Sequence, residues 1–212
     1  MVVPGQRSLF ASGEVAVDPD ARWERLALDE TSWVDLCRNH LLGADAVLDV
    51  VIDAVPWQCG RRFMYDRMVD DPRLSYRAPR PELLPHPVLA RVRDGLAARY
   101  GVTFGAASCN YYRDGRDSVA PHGDRELRDV DDTLVALLTL GATRPFRLRP
   151  RGRKGGPTFD LAPGSGDLFV MGGACQRDWE HAVPKVRAAG PRVSVSWRFV
   201  RRPEPAAPEP GD

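Results

Sequence analysis

No stretch of this 212-residue chain is apolar for the length a membrane-spanning helix needs. No basic start followed by an apolar core opens it, so neither a secretory signal nor a membrane span is expected. There are only four cysteines, Cys37, Cys59, Cys109 and Cys175, none close to another in sequence. That spacing excludes a zinc knuckle and a CxxC redox pair, and a reducing cytoplasmic setting follows as the simplest expectation. Strong charge of either sign is missing too. A net charge of +1 does not by itself announce a nucleic-acid-binding protein.

What the chain does have is glycine and proline, 19 of each. They fall between short apolar runs, as in a turn-rich β protein. Two helices are predicted. Residues 43–55, GADAVLDVVIDAV, place Val47, Val50, Val51 and Ala54 on one helical face and stop before Pro56. Residues 87–100 carry Val88, Leu89, Val92 and Leu96, with Gly101 as the stop.

Strands are predicted after them, at 106–112, 133–140, 146–149, 158–161, 167–171, 180–186 and 192–200. Regular spacing of that kind suits a sandwich or barrel, with the helices on one outer face. In the last strand, RVSVSWRFV, Val193, Val195, Trp197 and Phe199 alternate with Arg192, Ser194, Ser196 and Arg198. One face is core. The other either meets solvent or lines a cavity that holds an anion.

Charge is local rather than global. Residues 144–154, RPFRLRPRGRK, hold Arg144, Arg147, Arg149, Arg151, Arg153 and Lys154 and no acid. This is either a solvated hairpin or a phosphate-binding stripe. In APHGDRE, His122 and Asp124 are two apart, so an extended strand would project both from one face. Among His40, His86 and His181, the last lies in a predicted strand and is the best third ligand. Two histidines and a carboxylate form the facial triad of non-haem Fe(II) sites, which leaves open positions. A diacid such as 2-oxoglutarate suits guanidinium partners, yet Arg192 and Arg198 are roughly 20 Å apart at ordinary strand rise.

The ordered set NYYRDGRDSVAPHGDRE, GDLFVMGG, WEHAVPK and PRVSVSWRF resembles the AlkB family of Fe(II)/2-oxoglutarate dioxygenases, from about Trp57 to Phe199. The resemblance implies a mainly β (α+β) fold: a double-stranded β-helix, or jelly roll, with N-terminal helices packed outside. It implies Fe(II), 2-oxoglutarate and O2, with His122, Asp124 and His181 as catalytic metal ligands. Asn110, Tyr112, Arg192, Ser194 and Arg198 would bind 2-oxoglutarate, with Arg192 and Tyr112 at its distal carboxylate. Glu126 would read the target base. MYDRMVDDPRLSYRAP resembles the family's lid, where Tyr65 and Tyr76 would line the pocket or stack on a base, whereas Trp57 reads as core. Arg147, Arg149 and Arg151 would hold phosphates at the entrance.

The implied domain runs over 43–202, with a lid at about 57–80 and a β core at about 106–200. A partly ordered extension (1–42) precedes it and a disordered Pro-rich tail (203–212) follows. The implied activity is oxidative dealkylation of N-alkylated bases of the 1-methyladenine or 3-methylcytosine type in DNA or RNA, with release of formaldehyde, succinate and CO2. The partner is then an alkylated nucleic acid, single- or double-stranded, with no membrane and a monomeric enzyme. The same scaffold could instead hydroxylate a small molecule or a protein side chain. A vestigial binding module, or a zinc hydrolase, would leave the triad or the two arginines unexplained.

Overall fold

The computed structural model of the chain describes residues 14–64, 66–80, 83–152 and 158–200. Fourteen strands and three helices are described: β1 (Ala16–Val17), β2 (Trp23–Ala27), β3 (Ser32–Cys37), β4 (Leu41–Leu42), α1 (Ala44–Ala54), β5 (Gln58–Met64), β6 (Arg67–Ala78), α2 (Pro87–Tyr100), β7 (Ala107–Tyr112), β8 (Val119–His122), β9 (Thr133–Gly141), β10 (Phe146–Pro150), β11 (Phe159–Leu161), β12 (Leu168–Gly173), α3 (Cys175–Asp178), β13 (Trp179–Val183) and β14 (Arg192–Val200). No helix among the described residues is long and apolar enough to cross a membrane.

Both expected helices form within a residue of their expected bounds. Gly43 begins α1 at φ 66, a left-handed conformation that a side chain resists. The helix α2 starts at Pro87, the imidazole of His86 accepts the Val88 N–H at 3.2 Å, and Gly101 closes it at φ 65. His86 is thus a cap.

The strands make an eight-stranded sheet, β2-β3-β12-β9-β14-β7-β6-β5, and a four-stranded sheet, β11-β10-β13-β8. Every strand pairing is antiparallel. Alternation explains the layers. In β9, Leu134, Ala136, Leu138 and Leu140 pack under α1 and α2. Val135 and Leu137 point the other way, against Phe146 and Leu148 of the smaller sheet. A central strand covered on both faces has to be apolar throughout, and TLVALLTL is buried at every position. This is the jelly-roll arrangement expected, with helices on one outer face.

Within the span read as an N-terminal extension, β2 and β3 continue the eight-stranded sheet, with β3 paired to β12. A buried Asp35 in β3 disguises the strand in the sequence. The Arg25 guanidinium grips its carboxylate at 2.6 and 2.8 Å, and the Tyr100 hydroxyl donates to it at 2.8 Å. The region read as a lid is the long hairpin β5–β6, which continues the other edge of the same sheet. Tyr65 lies outside the described residues, as do Arg153, Lys154 and the Pro-rich tail.

Candidate active site

Strand register assembles the metal-ligand set. His122 of β8 and His181 of β13 are directly opposite one another, with ring centroids 4.3 Å apart. β8 ends at His122, and Asp124 is reached through Gly123, just before a 3-10 turn at Arg125–Leu127. The shared direction of His122 and Asp124 therefore comes from a turn, not from strand alternation as expected. One ligand atom from each of His122, Asp124 and His181 falls within 4.8 Å of the others.

Each side chain is held in a state fit for a cation. The His122 Nδ1–H donates to the Ala120 carbonyl at 2.9 Å, leaving Nε2 as the free lone pair. His181 is buried and stacks on Phe146 at 5.5 Å. Burial, then the neighbouring His122, push its imidazole down to about 3, so it is neutral. Burial works against ionising Asp124, but the Arg198 Nε hydrogen bond at 2.7 Å and the Arg198 charge outweigh it and hold the carboxyl below its usual range. Two imidazoles and one carboxylate on the same side suit a divalent metal with open positions opposite.

Next to the triad the space between the sheets holds an inner pocket of about 40 Å³, lined among others by Arg73, Asn110, Tyr112, Ser194, Ser196 and Arg198. It opens toward a cleft of about 560 Å³ bounded by Arg73, Arg125, Arg128 and Arg151 with Asp71 and Glu180. Ser194, Ser196 and Arg198 of β14 form part of the wall of the pocket.

Arg192 and Arg198 do not converge on one group, which answers the 20 Å problem. Arg198 serves Asp124. Arg192, 0% exposed, donates to Ser194 Oγ at 2.7 Å and Thr139 Oγ1 at 3.3 Å and lies 5.2 Å from the Tyr112 ring. Its Nε has no partner, and no acid among the described residues hydrogen-bonds it. Burial, eased only in part by Tyr112, pushes this guanidinium down to about 10. A buried cation with an orphaned donor fits an incoming carboxylate. Ser194 orients that arginine, and Asn110 accepts from Arg73 Nε at 3.0 Å.

The substrate-side expectations fare differently. Tyr76 is opposite Cys109, so it shares the helix-facing side of the sheet and packs against that core. Strand parity gives the cavity side of β6 to Arg73, Ser75 and Arg77 instead. Trp57 packs on Tyr111 at 5.2 Å, as a core residue should. Glu126 is exposed and lines neither the pocket nor the cleft.

The arginine stripe is largely occupied. Arg144 is buried and donates to the carbonyls of Asp114, Asp117 and Pro184. Arg147 pairs with Asp160 at 2.8 Å and Arg149 with Glu180 at 2.8 Å. Arg151 borders the cleft and gives its Nε and Nη2 to the carbonyls of Arg177 and Gln176. Four residues not singled out from the sequence lie at the site: Arg73, Arg125 and Arg128 line the cleft, and Gln176 accepts from the Asp124 N–H. No sequence signal marked them, since each gains meaning only from what the register places beside it.

The model of the 2OG-Fe(II) oxygenase superfamily matches residues 65–203. Alpha-ketoglutarate-dependent dioxygenase alkB homolog 3 of Homo sapiens is 33% identical over 176 residues, 74% of this chain and 62% of that protein. DNA oxidative demethylase ALKBH2 of Mus musculus is 32% identical over 121 residues, 54% of this chain and 51% of that protein. The chain thus spans less than two thirds of the length of these relatives. Among solved structures, OsALKBH1 superposes with a TM-score of 0.58 at 13% identity, covering 82% of this chain and 99% of that one. A 2OG-Fe(II) oxygenase family oxidoreductase from Burkholderia pseudomallei gives 0.50 at 20% identity, over 74% and 78% of the two chains. At such identities these likenesses speak for the fold.

Proposed function

The chain belongs to the 2OG-Fe(II) oxygenase superfamily, and on that premise we propose that it removes alkyl groups oxidatively from ring nitrogens of nucleobases of the 1-methyladenine and 3-methylcytosine type, in DNA or RNA. The supporting observations are three: the His122–Asp124–His181 cluster, the buried Arg192 with its unpartnered Nε, and an open cleft edged by arginines. The names of the relatives, a dioxygenase and a DNA oxidative demethylase, point the same way.

In this reading His122, Asp124 and His181 hold Fe(II). Bound Fe(II), with 2-oxoglutarate and O2, supplies the oxidising chemistry. Arg192, kept in place by Ser194 and Thr139, receives the distal carboxylate of 2-oxoglutarate beside Tyr112. Its burial excludes the water that would otherwise weaken this contact. Arg198 fixes the orientation of the Asp124 carboxylate and keeps it ionised. Arg73, anchored on Asn110, stands where the inner pocket meets the cleft. The target base has to leave its stack to enter, and this is easiest in a single strand or at a damaged pair. Arg125 and Arg128, both exposed on the cleft wall and without an ion-pair partner among the described residues, can take the flanking phosphates. Hydroxylation of the methyl carbon leaves a hydroxymethyl group that departs as formaldehyde, while 2-oxoglutarate is converted to succinate and CO2.

Mass spectrometry of a single-stranded oligonucleotide carrying either lesion, incubated with enzyme, Fe(II), 2-oxoglutarate and O2, tests the reading. The expected result is loss of one methylene mass, absent with His122→Ala. Succinate without a mass change would move the substrate to a small molecule or a protein side chain. Neither product would overturn the site.

A further inference from the structure

We propose that Gln176 is a positioning residue that sets the distance between the two arms of the metal site, an inference that rests on the metal-binding reading of His122, Asp124 and His181. Gln176 is 0% exposed and sits in the single-turn helix α3. Its Oε1 accepts the Asp124 backbone N–H at 3.1 Å. Among the described residues its amide nitrogen finds only the Met171 sulfur, at 3.8 Å. A buried amide that gives its better hydrogen bond to a ligand-bearing loop, and the rest to a thioether, is a poor device for stability alone.

The surroundings of Gln176 are fixed from the other side. Arg151 donates through Nη2 to the Gln176 carbonyl at 2.9 Å and through Nε to the Arg177 carbonyl at 2.7 Å. The Arg151 N–H donates to the Asp178 carbonyl at 2.7 Å. The helix is therefore clamped to the end of β10. Against its carbonyl lies Gly123, where a Cβ would stand 2.7 Å from the Gln176 oxygen, so only glycine lets the His122–Asp124 turn approach this closely. Asp124 is thus restrained at two points, its carboxylate by Arg198 and its backbone by Gln176. Because α3 runs directly into β13, the same turn of helix that holds Asp124 also leads to His181. Arg151 contributes by holding α3 through its Nε and Nη2.

Mn(II) titration of the full chain followed by electron paramagnetic resonance, with thermal unfolding of the metal-free protein alongside, tests this without turnover. Gln176→Met keeps the volume and removes the acceptor. It should weaken Mn(II) binding by about 10-fold, the lower end of what outer-shell partners contribute. Gln176→Asn, which withdraws the amide by one methylene, carries the same expectation if Gln176→Met does not fold. Met171→Leu changes the opposite end of the same amide and should alter the unfolding temperature while leaving Mn(II) affinity unchanged. Wild-type Mn(II) affinity in both Gln176 variants, or an equal loss in Met171→Leu, would overturn the proposal by making Gln176 merely structural. Absence of Mn(II) binding by the wild-type chain would overturn the metal-site reading itself, and the proposal with it.

Discussion

Replacing Arg192 by methionine should stabilise the protein and disable it together. The guanidinium is wholly buried, its η nitrogens rest on two neutral hydroxyls, its Nε has no partner, and the Arg144 charge adds repulsion. A shift from 12.5 to about 10 corresponds to about 3 kcal/mol of penalty for carrying the charge there. Methionine fills similar space without charge, so Arg192→Met should gain about 1–3 kcal/mol, the range found when buried ionic groups give way to apolar ones. In a chain of this size that is an increase of roughly 2–4 °C in Tm per kcal/mol.

The sign with pH follows from the depressed value. Below about 10 the charge is carried in both states and the full penalty is present. As pH rises above it the folded state sheds the proton first, so the wild type recovers stability relative to the variant. The same substitution removes the proposed carboxylate partner, and 2-oxoglutarate affinity should fall by about 10²–10³-fold, the loss expected for one partner of a buried charge pair. Differential scanning calorimetry of the metal-free protein, with and without 2-oxoglutarate, and titration calorimetry with Mn(II) present read both effects. A variant that melts lower than wild type and still binds 2-oxoglutarate normally would refute the reasoning, because Arg192 would then be a structural residue with an adequate partner.

Arg125→Ala combined with Arg128→Ala should flatten the salt dependence of single-strand binding by about 1.4 in log–log slope, at about 0.7 per phosphate. The paired arginines, tested as Arg147→Ala with Arg149→Ala, should leave that slope unchanged in the same filter-binding series. For Asp35, burial raises the carboxyl but hydrogen bonds from Arg25 and Tyr100 lower it further, for a net depression. Its contribution is therefore present above the usual aspartate range and lost as pH falls through the native value, so Asp35→Asn should flatten the acid limb of stability against pH in urea melts. Among the four free cysteines only Cys59 is exposed, and burial pushes the Cys109 and Cys175 thiols up to about 12. A thiol reagent at neutral pH should titrate one group in the native protein and four after unfolding.

The sequence was most legible where a single period decides the structure. Val193, Val195 and Trp197 announce one face of β14, and the apolar spacing with Pro56 and Gly101 bounds both long helices. His181 was singled out as the third ligand because it lies in a predicted strand, but nothing local says that β8 and β13 pair and set it opposite His122. Illegible features depend on distant partners. β3 carries an aspartate whose mates are Arg25 and Tyr100. The arginine stripe looked free because Asp160 and Glu180, which neutralise Arg147 and Arg149, are 13 and 31 residues away. Tyr76 drew attention as an aromatic in the lid region, but its parity within β6 was fixed by pairing with β7. Gln176 resembles any polar residue of a short loop until the fold brings it to Asp124.

Arg192, Ser194, Ser196 and Arg198 share one strand with no turn between them, and this has a consequence for how the gene can change. Each inserted or deleted residue within β14 would exchange the two faces of everything beyond it, sending polar side chains under the helices and valines into the pocket. Substitutions along the strand can be graded, as with Ser194→Thr, but changes of length are all-or-nothing. A library of single-codon insertions should therefore show a silent interval covering the whole of β14, with survivors resuming only in the 187–190 loop, where the chain is free to absorb an extra residue.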